Sequence, residues 1–339
     1  MRSPRVSVVI NNYNYADYVG QAIESVLAQT GADVECVVVD DGSTDESRTI
    51  IGGYAGVKQV YKSNGGQLSA VQAGVAQASG DIIVCLDSDD FLHPQACREI
   101  VRAWRPDLSL LQYGLEKIDN AGRGIGVYPN EPFLSGDHLR FLRKYGYIPS
   151  SPMSGNAFSK RYLTELFSVT PPGERMAADG YLIYCAPLYG KVGAIERNLG
   201  CYRVHGRNTS PSAAVSAGSL QRQLLNDIKF REGLAHTMRR RGFVPAMPLD
   251  YLGPYDFRTI LLLNRGYGDM SGVGHIACRF ALTRAIGKFL TYPGIPLWNR
   301  LKNIAGILAI VALPAAMVRR FLPDKTATPA GPPAAWSSR

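Results

Sequence analysis

Residues 6–90 alternate short apolar runs with segments in which apolar residues recur at helical spacing. The runs predict strands and the periodic segments predict helices. The predicted strands are 6–11, 34–39, 57–61 and 82–86, and the predicted helices between them include 18–29 and 68–78. Because strands that alternate with helices form a parallel sheet with right-handed crossovers, the pattern predicts an α/β fold.

The predicted strand 82–86 runs directly into Asp87, Ser88, Asp89 and Asp90. Carboxylates concentrated at a sheet edge cost stability unless a cation or hydrogen-bond donors offset their charge. The spacing Asp-x-Asp offers two hard oxygen ligands, which suit Mg²⁺ or Mn²⁺ holding a substrate diphosphate. The alternative is an acidic turn that caps the helix after Pro94.

Two further strands are predicted to end at the same edge, where ligand crevices of such sheets lie. The first strand ends in residues 11–13, Asn-Asn-Tyr, and the second ends in Asp40 and Asp41. Asp40 and Asp41 alone are consistent with a solvated turn. Two acidic strand ends in one sheet favour a binding site.

Four segments carry a family resemblance: 6–14, 39–45, 64–67 and 86–90. Their order and spacing resemble those of the family 2 glycosyltransferases, strongly over residues 6–95 and more thinly to about residue 210. The resemblance implies the GT-A fold, a Rossmann-like and mostly parallel sheet flanked by helices. It also implies an inverting transferase that takes a sugar from a nucleotide-diphosphate donor with a divalent metal, Mn²⁺ or Mg²⁺.

The resemblance assigns roles to individual positions of this chain. Asn12 and Tyr13 would line the nucleotide pocket, and Asp41 would contact the base. The remaining donor-binding residues would be Gly66, Gln67, Asp87 and Ser88, and the metal ligands would be Asp89 and His205. A satisfied structural histidine is the alternative for His205. Residues 70–72 read Ala-Val-Gln where many relatives have Ala-Arg-Asn, so an arginine near the phosphates is not expected here.

Asp179 precedes a predicted apolar helix at 182–189, and a carboxylate at a helix start can by itself be only a helix cap. The resemblance makes Asp179 the catalytic base, although Ala178 replaces the acidic neighbour that relatives commonly carry. Residues 150–158 are similar to the segment that faces donor sugar and acceptor. Gly155 and Asn156 are the expected acceptor contacts there, with a plain polar loop as the alternative.

Charge is unevenly distributed over the 339 residues, of which 46% are hydrophobic, an ordinary globular proportion. Residues 1–219 contain 20 Lys and Arg against 22 Asp and Glu, a net charge of −2, whereas residues 220–339 contain 17 against 6, a net charge of +11. This asymmetry suggests contact with an anionic surface, either membrane lipid or a phosphorylated acceptor. The uncharged segment 304–318 has 15 residues, too short to span a bilayer. It predicts an interfacial helix, or alternatively a helix packed on the catalytic domain.

These observations predict a catalytic domain at 1–212, with a nucleotide-binding half at about 1–95 and an acceptor half at about 96–212. A basic helical extension follows at 213–322, and a disordered tail at 323–339. The six cysteines contain no Cys-x-x-Cys pair, which predicts reduced, buried thiols rather than disulfides or a zinc site. Nothing at the N-terminus resembles a signal peptide, so we expect a cytoplasmic protein, peripheral on the inner face of the cell membrane.

The expected partners are a nucleotide-sugar donor and a glycan, lipid-linked or protein acceptor, with no nucleic acid. Two other classes stay open at this point. A nucleotidyltransferase would resemble a glycine-rich, basic loop after the first strand, but residues 11–15 read Asn-Asn-Tyr-Asn-Tyr. The second class is a transferase-like protein that only binds nucleotide or serves in assembly. This class stays open because Ala178 and Val71-Gln72 stand where relatives commonly carry other residues.

Overall fold

The computed structural model describes residues 3–129, 132–134, 137–145, 148–170, 178–205, 217–243, 254–267, 278–291 and 296–319. Nine strands lie within these residues. They are β1 Val6–Asn12, β2 Val34–Asp40, β3 Lys58–Tyr61, β4 Ile82–Asp87, β5 Phe91–Leu92, β6 Leu108–Ile118, β7 Gly124–Tyr128, β8 Asn156–Ser159 and β9 Lys191–Arg203. All nine form one sheet in the order β3-β2-β1-β4-β8-β6-β9-β5, and β7 pairs with β6.

The sheet is mixed and mostly parallel. β1 pairs in parallel with β2 and β4, β2 pairs in parallel with β3, and β6 pairs in parallel with β9. β8 runs antiparallel to both β4 and β6, and β5 runs antiparallel to β9. The α/β fold class predicted from the alternation of elements is confirmed.

Helices separate the strands and continue beyond them. The first seven are α1 Ala16–Leu27, α2 Ser47–Gly52, α3 Gln67–Gln77, α4 Ala96–Ala103, α5 His138–Tyr145, α6 Lys160–Val169 and α7 Ala178–Cys185. The others are α8 Ala217–Arg240, α9 Pro254–Tyr267, α10 Cys278–Thr291, α11 Leu297–Ala312 and α12 Ala315–Arg319. No helix among the described residues is both long enough and apolar enough to cross a membrane.

The core explains why β1 and β4 are nearly continuous apolar runs. Strands with helices over both faces bury every side chain, so they do not alternate between apolar and polar residues. Val8, Ile10, Val84 and Leu86 lie in one hydrophobic cluster with the buried residues of α1, such as Ile23. The apolar interior therefore ends where the polar residues at the carboxyl ends of β1, β2 and β4 begin.

The chain divides into two compact units. The first comprises Met1–Arg140, Ile148–His205 and Glu232–Pro245, and the second comprises Phe141–Tyr147, Gly206–Arg231 and Ala246–Arg339. The second unit has its own apolar cluster, which includes Phe257 of α9, Phe289 of α10 and Ile307 of α11. The domain boundaries predicted at 212 and 322 stay predictions, and the predicted disordered tail 323–339 lies outside the described residues.

Several element boundaries differ from the prediction. The helix expected at 182–189 is α7, which begins four residues earlier, at Ala178. β9 is one continuous strand of 13 residues, and its pairing with β6 shifts register around Gly114. The uncharged segment 304–318 is divided between α11 and α12, because Pro314 cannot continue the preceding helix.

Candidate active site

The carboxyl ends of β1, β2 and β4 meet at one edge of the sheet. Register pairs Asn12 of β1 with Asp40 of β2, and Asn11 of β1 with Asp87 of β4. The structure therefore brings together the polar strand ends that sequence reasoning singled out. The cluster formed by these residues with Asp41, Asp89, Asp179 and His205 is called the strand-end cluster below.

Asp40 is fully buried and organises the start of the loop after β2. Its carboxylate accepts hydrogen bonds from the Ser43 backbone amide at 3.0 Å, Arg48 Nε at 2.9 Å and Asn12 Nδ2 at 3.2 Å. Burial by itself raises the pKa of Asp40, but the hydrogen bonds from Ser43, Arg48 and Asn12 outweigh burial, and the pKa is lowered. Asp40 is thus held as a carboxylate in an interior position.

Asp41 anchors the glycine turn that precedes α3. Its oxygens accept hydrogen bonds from the backbone amides of Gly65 at 3.0 Å and Gly66 at 2.7 Å, and they pair with Lys62 Nζ. Gly66 has a φ of 87°, a backbone conformation that favours glycine. Asp41 is 2% exposed, so these contacts give it a structural role in the turn. Its predicted contact with the nucleotide base stays a prediction.

Asn12 and Tyr13 differ in accessibility. Asn12 is 2% exposed; its Nδ2 is bound to Asp40 and Ser43, but its Oδ1 is buried and has no hydrogen-bond partner. The Oδ1 of Asn11 is also buried without a partner. Tyr13 is 46% exposed. Unpartnered buried acceptors are costly, so a donor that reaches either oxygen would be stabilising; the predicted contacts of Asn12 and Tyr13 with the nucleotide stay predictions.

Asp87 lies between two amide donors. Its Oδ1 accepts hydrogen bonds from Asn11 Nδ2 at 2.9 Å and Gln67 Nε2 at 3.0 Å. Burial, followed by the charges of Asp89 and Asp179, raises the pKa of Asp87 to about 7 despite these donors. The contribution of Asp179 shows that α7 brings its carboxylate into the electrostatic neighbourhood of β4.

Asp89 and His205 are in direct contact. Asp89 Oδ2 lies 2.8 Å from His205 Nε2, and the imidazole stacks on the Tyr18 ring with centroids 5.2 Å apart and planes at 12°. Arg203 Nε donates to the Asp89 carbonyl oxygen at 3.1 Å. The Arg203 guanidinium also lies over the Tyr18 ring and donates to Gln21 Oε1. The ends of β4 and β9 are thereby fixed to one another and to α1.

Asp90 is turned inward and connects three segments. Its Oδ1 accepts a hydrogen bond from the Arg203 amide at 2.8 Å, and Ser154 Oγ donates to its Oδ2 at 2.6 Å. The same Ser154 hydroxyl accepts from the Asp87 amide at 3.0 Å. Burial, with the charges of Asp89 and Asp87, raises the pKa of Asp90 well above its usual value. Ser88 beside them is also buried, at 4% exposure.

Asp179 lies in the first turn of α7. Its Oδ1 accepts a hydrogen bond from the Gly180 amide at 2.7 Å. Burial raises the pKa of Asp179, and no basic residue within the described part of the chain contributes to the shift. A raised pKa makes a carboxylate a stronger base, but the role of Asp179 as catalytic base stays a prediction.

Gly155 and Asn156 are interior residues. A Cβ at Gly155 would lie 2.3 Å from Ser151 Cβ and 2.8 Å from the Tyr113 carbonyl oxygen. Asn156 is 0% exposed, and its Nδ2 donates to the carbonyl oxygens of Pro152 and Ser151 at 2.6 and 3.2 Å. These contacts close the turn that places Ser154. Contact of either residue with an acceptor sugar stays a prediction.

Three residues of the site were missed by sequence reasoning: Tyr18, Ser154 and Arg203. Each holds a predicted site residue in place through a contact between distant parts of the chain. Arg203 carried a weak signal, since it is a cation two residues before His205. Tyr18 and Ser154 carried none, because a tyrosine at a helix start and a serine in a turn are ordinary surface features.

The donor set fits a divalent metal. Asp89 offers a carboxylate oxygen and His205 an imidazole nitrogen at a mutual distance of 2.8 Å. This combination of hard oxygen and nitrogen ligands suits Mn²⁺, and the oxygen alone suits Mg²⁺. Two protein ligands leave most of the coordination sphere for water and substrate oxygens, which is the usual arrangement where a metal binds a diphosphate.

Comparisons with known proteins bear on the class to which this chain belongs. Residues 7–167 match glycosyl transferase family 2. An uncharacterised glycosyltransferase of Nostoc sp. is 36% identical over 247 residues, covering 68% of this chain and 77% of that protein. The succinoglycan biosynthesis protein ExoO of Rhizobium meliloti is 28% identical over 264 residues, covering 71% of this chain and 74% of its own. The chain belongs to glycosyltransferase family 2.

This membership makes the protein a glycosyltransferase and decides against the nucleotidyltransferase alternative. Among solved structures, TarS 1-349 of S. aureus in complex with UDP-GlcNAc is similar with a TM-score of 0.51 at 17% identity. The likeness covers 84% of this chain and 89% of TarS 1-349. It shows that the two chains share a fold, which is GT-A-like.

Proposed function

We propose that the protein is an inverting glycosyltransferase that moves a sugar from a UDP-sugar to an acceptor hydroxyl in the synthesis of a cell-surface glycan or polysaccharide. The observation that carries the proposal is the difference in surroundings between two carboxylates of the strand-end cluster, Asp89 and Asp179. Asp89 is paired with His205, whereas Asp179 accepts a hydrogen bond from the Gly180 amide and has a pKa raised by burial. One group is suited to hold a cation and the other to accept a proton.

The nucleotide part of the donor is assigned to the ends of β1 and β2. The unpartnered Oδ1 atoms of Asn11 and Asn12 offer acceptors, and the half-exposed ring of Tyr13 offers a stacking surface. The choice of UDP follows the family resemblance, and TarS, which shares the fold, is solved with UDP-GlcNAc. In this proposal Asp41, Gly66, Gln67 and Ser88 would be the other residues of the donor site.

Asp89 and His205 would hold Mn²⁺ or Mg²⁺. When bound, the ion supplies positive charge against the departing nucleotide diphosphate. Tyr18 orients the His205 ring by stacking, and Arg203 fixes the backbone of Asp89. Asp87 is a further carboxylate at this edge of the sheet, and the side-chain amides of Asn11 and Gln67 orient it by donating to its Oδ1.

Asp179 would take the proton from the acceptor hydroxyl while that hydroxyl attacks the anomeric carbon. A single in-line displacement inverts the configuration at that carbon. A positioned general base contributes roughly 10² to 10⁴ in rate. The raised pKa of Asp179 supports this role, because a stronger base at neutral pH removes the hydroxyl proton more readily.

The acceptor is expected at a membrane surface. Exposed apolar side chains recur along α11: Leu297 is 69% exposed, Trp298 is 75% exposed, and Leu301 and Leu308 are each about half exposed. Positions 297, 301 and 308 lie on one face of the helix, because they are separated by whole numbers of turns. With a net charge of +11 over residues 220–339, this face suits an anionic lipid surface. Assignment of residues 1–212 to catalysis and 213–322 to this attachment is part of the proposal.

The proposal is tested with a radiolabelled UDP-sugar, by following release of the sugar to water or to an added lipid-linked acceptor. Asp179→Asn is expected to reduce the rate at least 100-fold while nucleotide binding is kept. Asp107→Asn, an exposed carboxylate outside the cluster, is the matched control and is expected to keep wild-type activity. An active Asp179→Asn variant would contradict the role of Asp179, and an inactive wild type that binds UDP would favour a nucleotide-binding assembly protein.

A further inference from the structure

A second group of metal-ligating side chains lies next to the segment of β9 that leads to His205. β9 runs between β5 and β6, and register places Cys201 opposite both Phe91 of β5 and Glu116 of β6. Side chains at paired positions of adjacent strands lie on the same face of a sheet. His93 follows β5 by one residue and shares the face of Phe91, so His93, Glu116 and Cys201 converge.

The distances within this group are those of a metal site. His93 Nε2 lies 3.5 Å from Cys201 Sγ, and the ligand atoms of all three residues lie within 4.8 Å of one another. Ligand atoms around a tetrahedral Zn²⁺ are about 3.5 Å apart, given its bonds to sulfur, nitrogen and oxygen. The Cys201–His93 separation already has this value. The third ligand, Glu116, is exposed, so its side chain can adjust to the ion.

The two inner ligands are held by rigid backbone. The His93 amide donates to the Leu199 carbonyl oxygen at 2.9 Å, and the His93 carbonyl oxygen accepts from Gln29 Nε2 at 2.7 Å. Cys201 is 5% exposed within β9. A preformed pair of ligands on a fixed backbone lowers the entropic cost of binding an ion.

We propose that His93, Glu116 and Cys201 bind Zn²⁺, with the fourth position open to solvent. A thiolate and an imidazole select Zn²⁺ over Mg²⁺ and Mn²⁺, which prefer oxygen ligands. Binding deprotonates the Cys201 thiol and releases the proton to solvent, after which sulfur, nitrogen and oxygen each donate one bond to the ion. Among the described residues, this is the one group of three His, Cys, Asp or Glu side chains with such spacing.

An ion bound by His93, Glu116 and Cys201 would join two segments of the chain that also lead to the strand-end cluster. His93 follows Asp89 by four residues, and Cys201 precedes His205 by four residues. An ion at this site therefore fastens together the two segments that supply the Asp89–His205 pair. The zinc site needs no part of the proposed transfer chemistry, so each is tested separately.

The test uses Co²⁺ as a spectroscopic probe of the purified, metal-stripped protein. A thiolate ligand gives a charge-transfer absorption in the near ultraviolet, which the Asp89–His205 pair cannot produce. We expect one equivalent of Co²⁺ to produce this band, and one equivalent of Zn²⁺ to remove it by displacement. The band is expected to disappear in Cys201→Ser and to persist in Cys36→Ser, a matched control on β2 with the same 5% exposure.

Two further variants keep the test decisive if Cys201→Ser folds poorly. His93→Gln and Glu116→Gln are expected to weaken Zn²⁺ binding at least tenfold, as measured by competition with a chromogenic chelator. Asp89→Asn is expected to leave the thiolate band unchanged, since Asp89 belongs to the other site. Absence of the band in the wild type, its persistence in Cys201→Ser, or wild-type affinity in His93→Gln would overturn the proposal.

Discussion

At the residue scale, the buried negative charge of Asp87 is a part of the site that lowers the stability of the folded protein. Two amides donate to its Oδ1, yet burial and the charges of Asp89 and Asp179 raise its pKa from 3.8 to about 7. The folded protein therefore binds more protons than the unfolded chain between about pH 4 and 7. In that window the free energy of unfolding falls as the pH rises.

Removing this charge is expected to stabilise the fold. Asp87→Asn keeps the Oδ1 acceptor for Asn11 and Gln67 and removes the negative charge from the cluster. One pKa unit corresponds to about 1.4 kcal/mol, so we expect a gain of at least about that size at pH 8 and none at pH 4. Thermal unfolding of the metal-free protein at both pH values measures it. Equal or lower stability of the variant at pH 8 would show that the Asp87 charge is not costly.

Sequence reasoning located the carboxylates of the site but not the residues that hold them. Asp87 and Asp89 were recognisable because a buried apolar run ended in them. Arg203 and Ser154 were not, because their contacts join residues that are far apart in the sequence. The same limit applies to His93, Glu116 and Cys201, whose convergence depends on the pairing of three strands.

At the scale of elements, the turn before β8 supports the acidic end of β4. Ser154 Oγ accepts from the Asp87 amide, and Asn156 closes the turn by donating to carbonyl oxygens within it. From sequence this segment was expected to face a sugar, because it resembles the segment of family 2 glycosyltransferases that faces donor sugar and acceptor. In the structure β8 is buried between β4 and β6, to both of which it is antiparallel. This burial was not evident from the sequence, because no local sequence pattern marks a strand inserted in this way.

The packing of this turn predicts that adding one methyl group at Gly155 destabilises the protein. Gly155→Ala places a Cβ 2.3 Å from Ser151 Cβ and against the Tyr113 carbonyl oxygen, so the turn must shift. Overpacking of this kind costs about 1 to 3 kcal/mol. Gly124→Ala in β7 is the matched control, because nothing lies within 4 Å of its Cβ. Urea unfolding measures both, and equal stability of the two variants would contradict the packing described here.

At the scale of the whole molecule, the chain separates into two compact units with different charge. The strand pattern and motifs predicted the sheet of the first unit well, because alternating elements and strand-end residues are local signals. For the second unit the sequence predicted a basic helical extension, but apolar spacing alone did not show which helix faces pack together. The break between α11 and α12 was marked in the sequence by Pro314.

The exposed face of α11 predicts membrane binding. At low salt we expect the protein to sediment with vesicles containing anionic lipid and to be released as salt rises, because screening weakens the attraction. The double variant Trp298→Ser, Leu301→Ser is expected to bind at least tenfold more weakly. Leu27→Ser on α1, where the leucine is 50% exposed, is the matched control. Failure of the wild type to bind anionic vesicles at low salt would remove the membrane from the proposal.

The most direct test of the account is calorimetric titration of UDP and of GDP into the protein, with and without Mn²⁺. We predict that UDP binds, that Mn²⁺ strengthens its binding at least tenfold, and that Asp89→Ala removes the effect of the metal. Asp107→Asn, outside the strand-end cluster, should behave as wild type. If neither nucleotide binds under any condition, or if Asp89→Ala binds as tightly as wild type, the strand-end cluster is not the donor site.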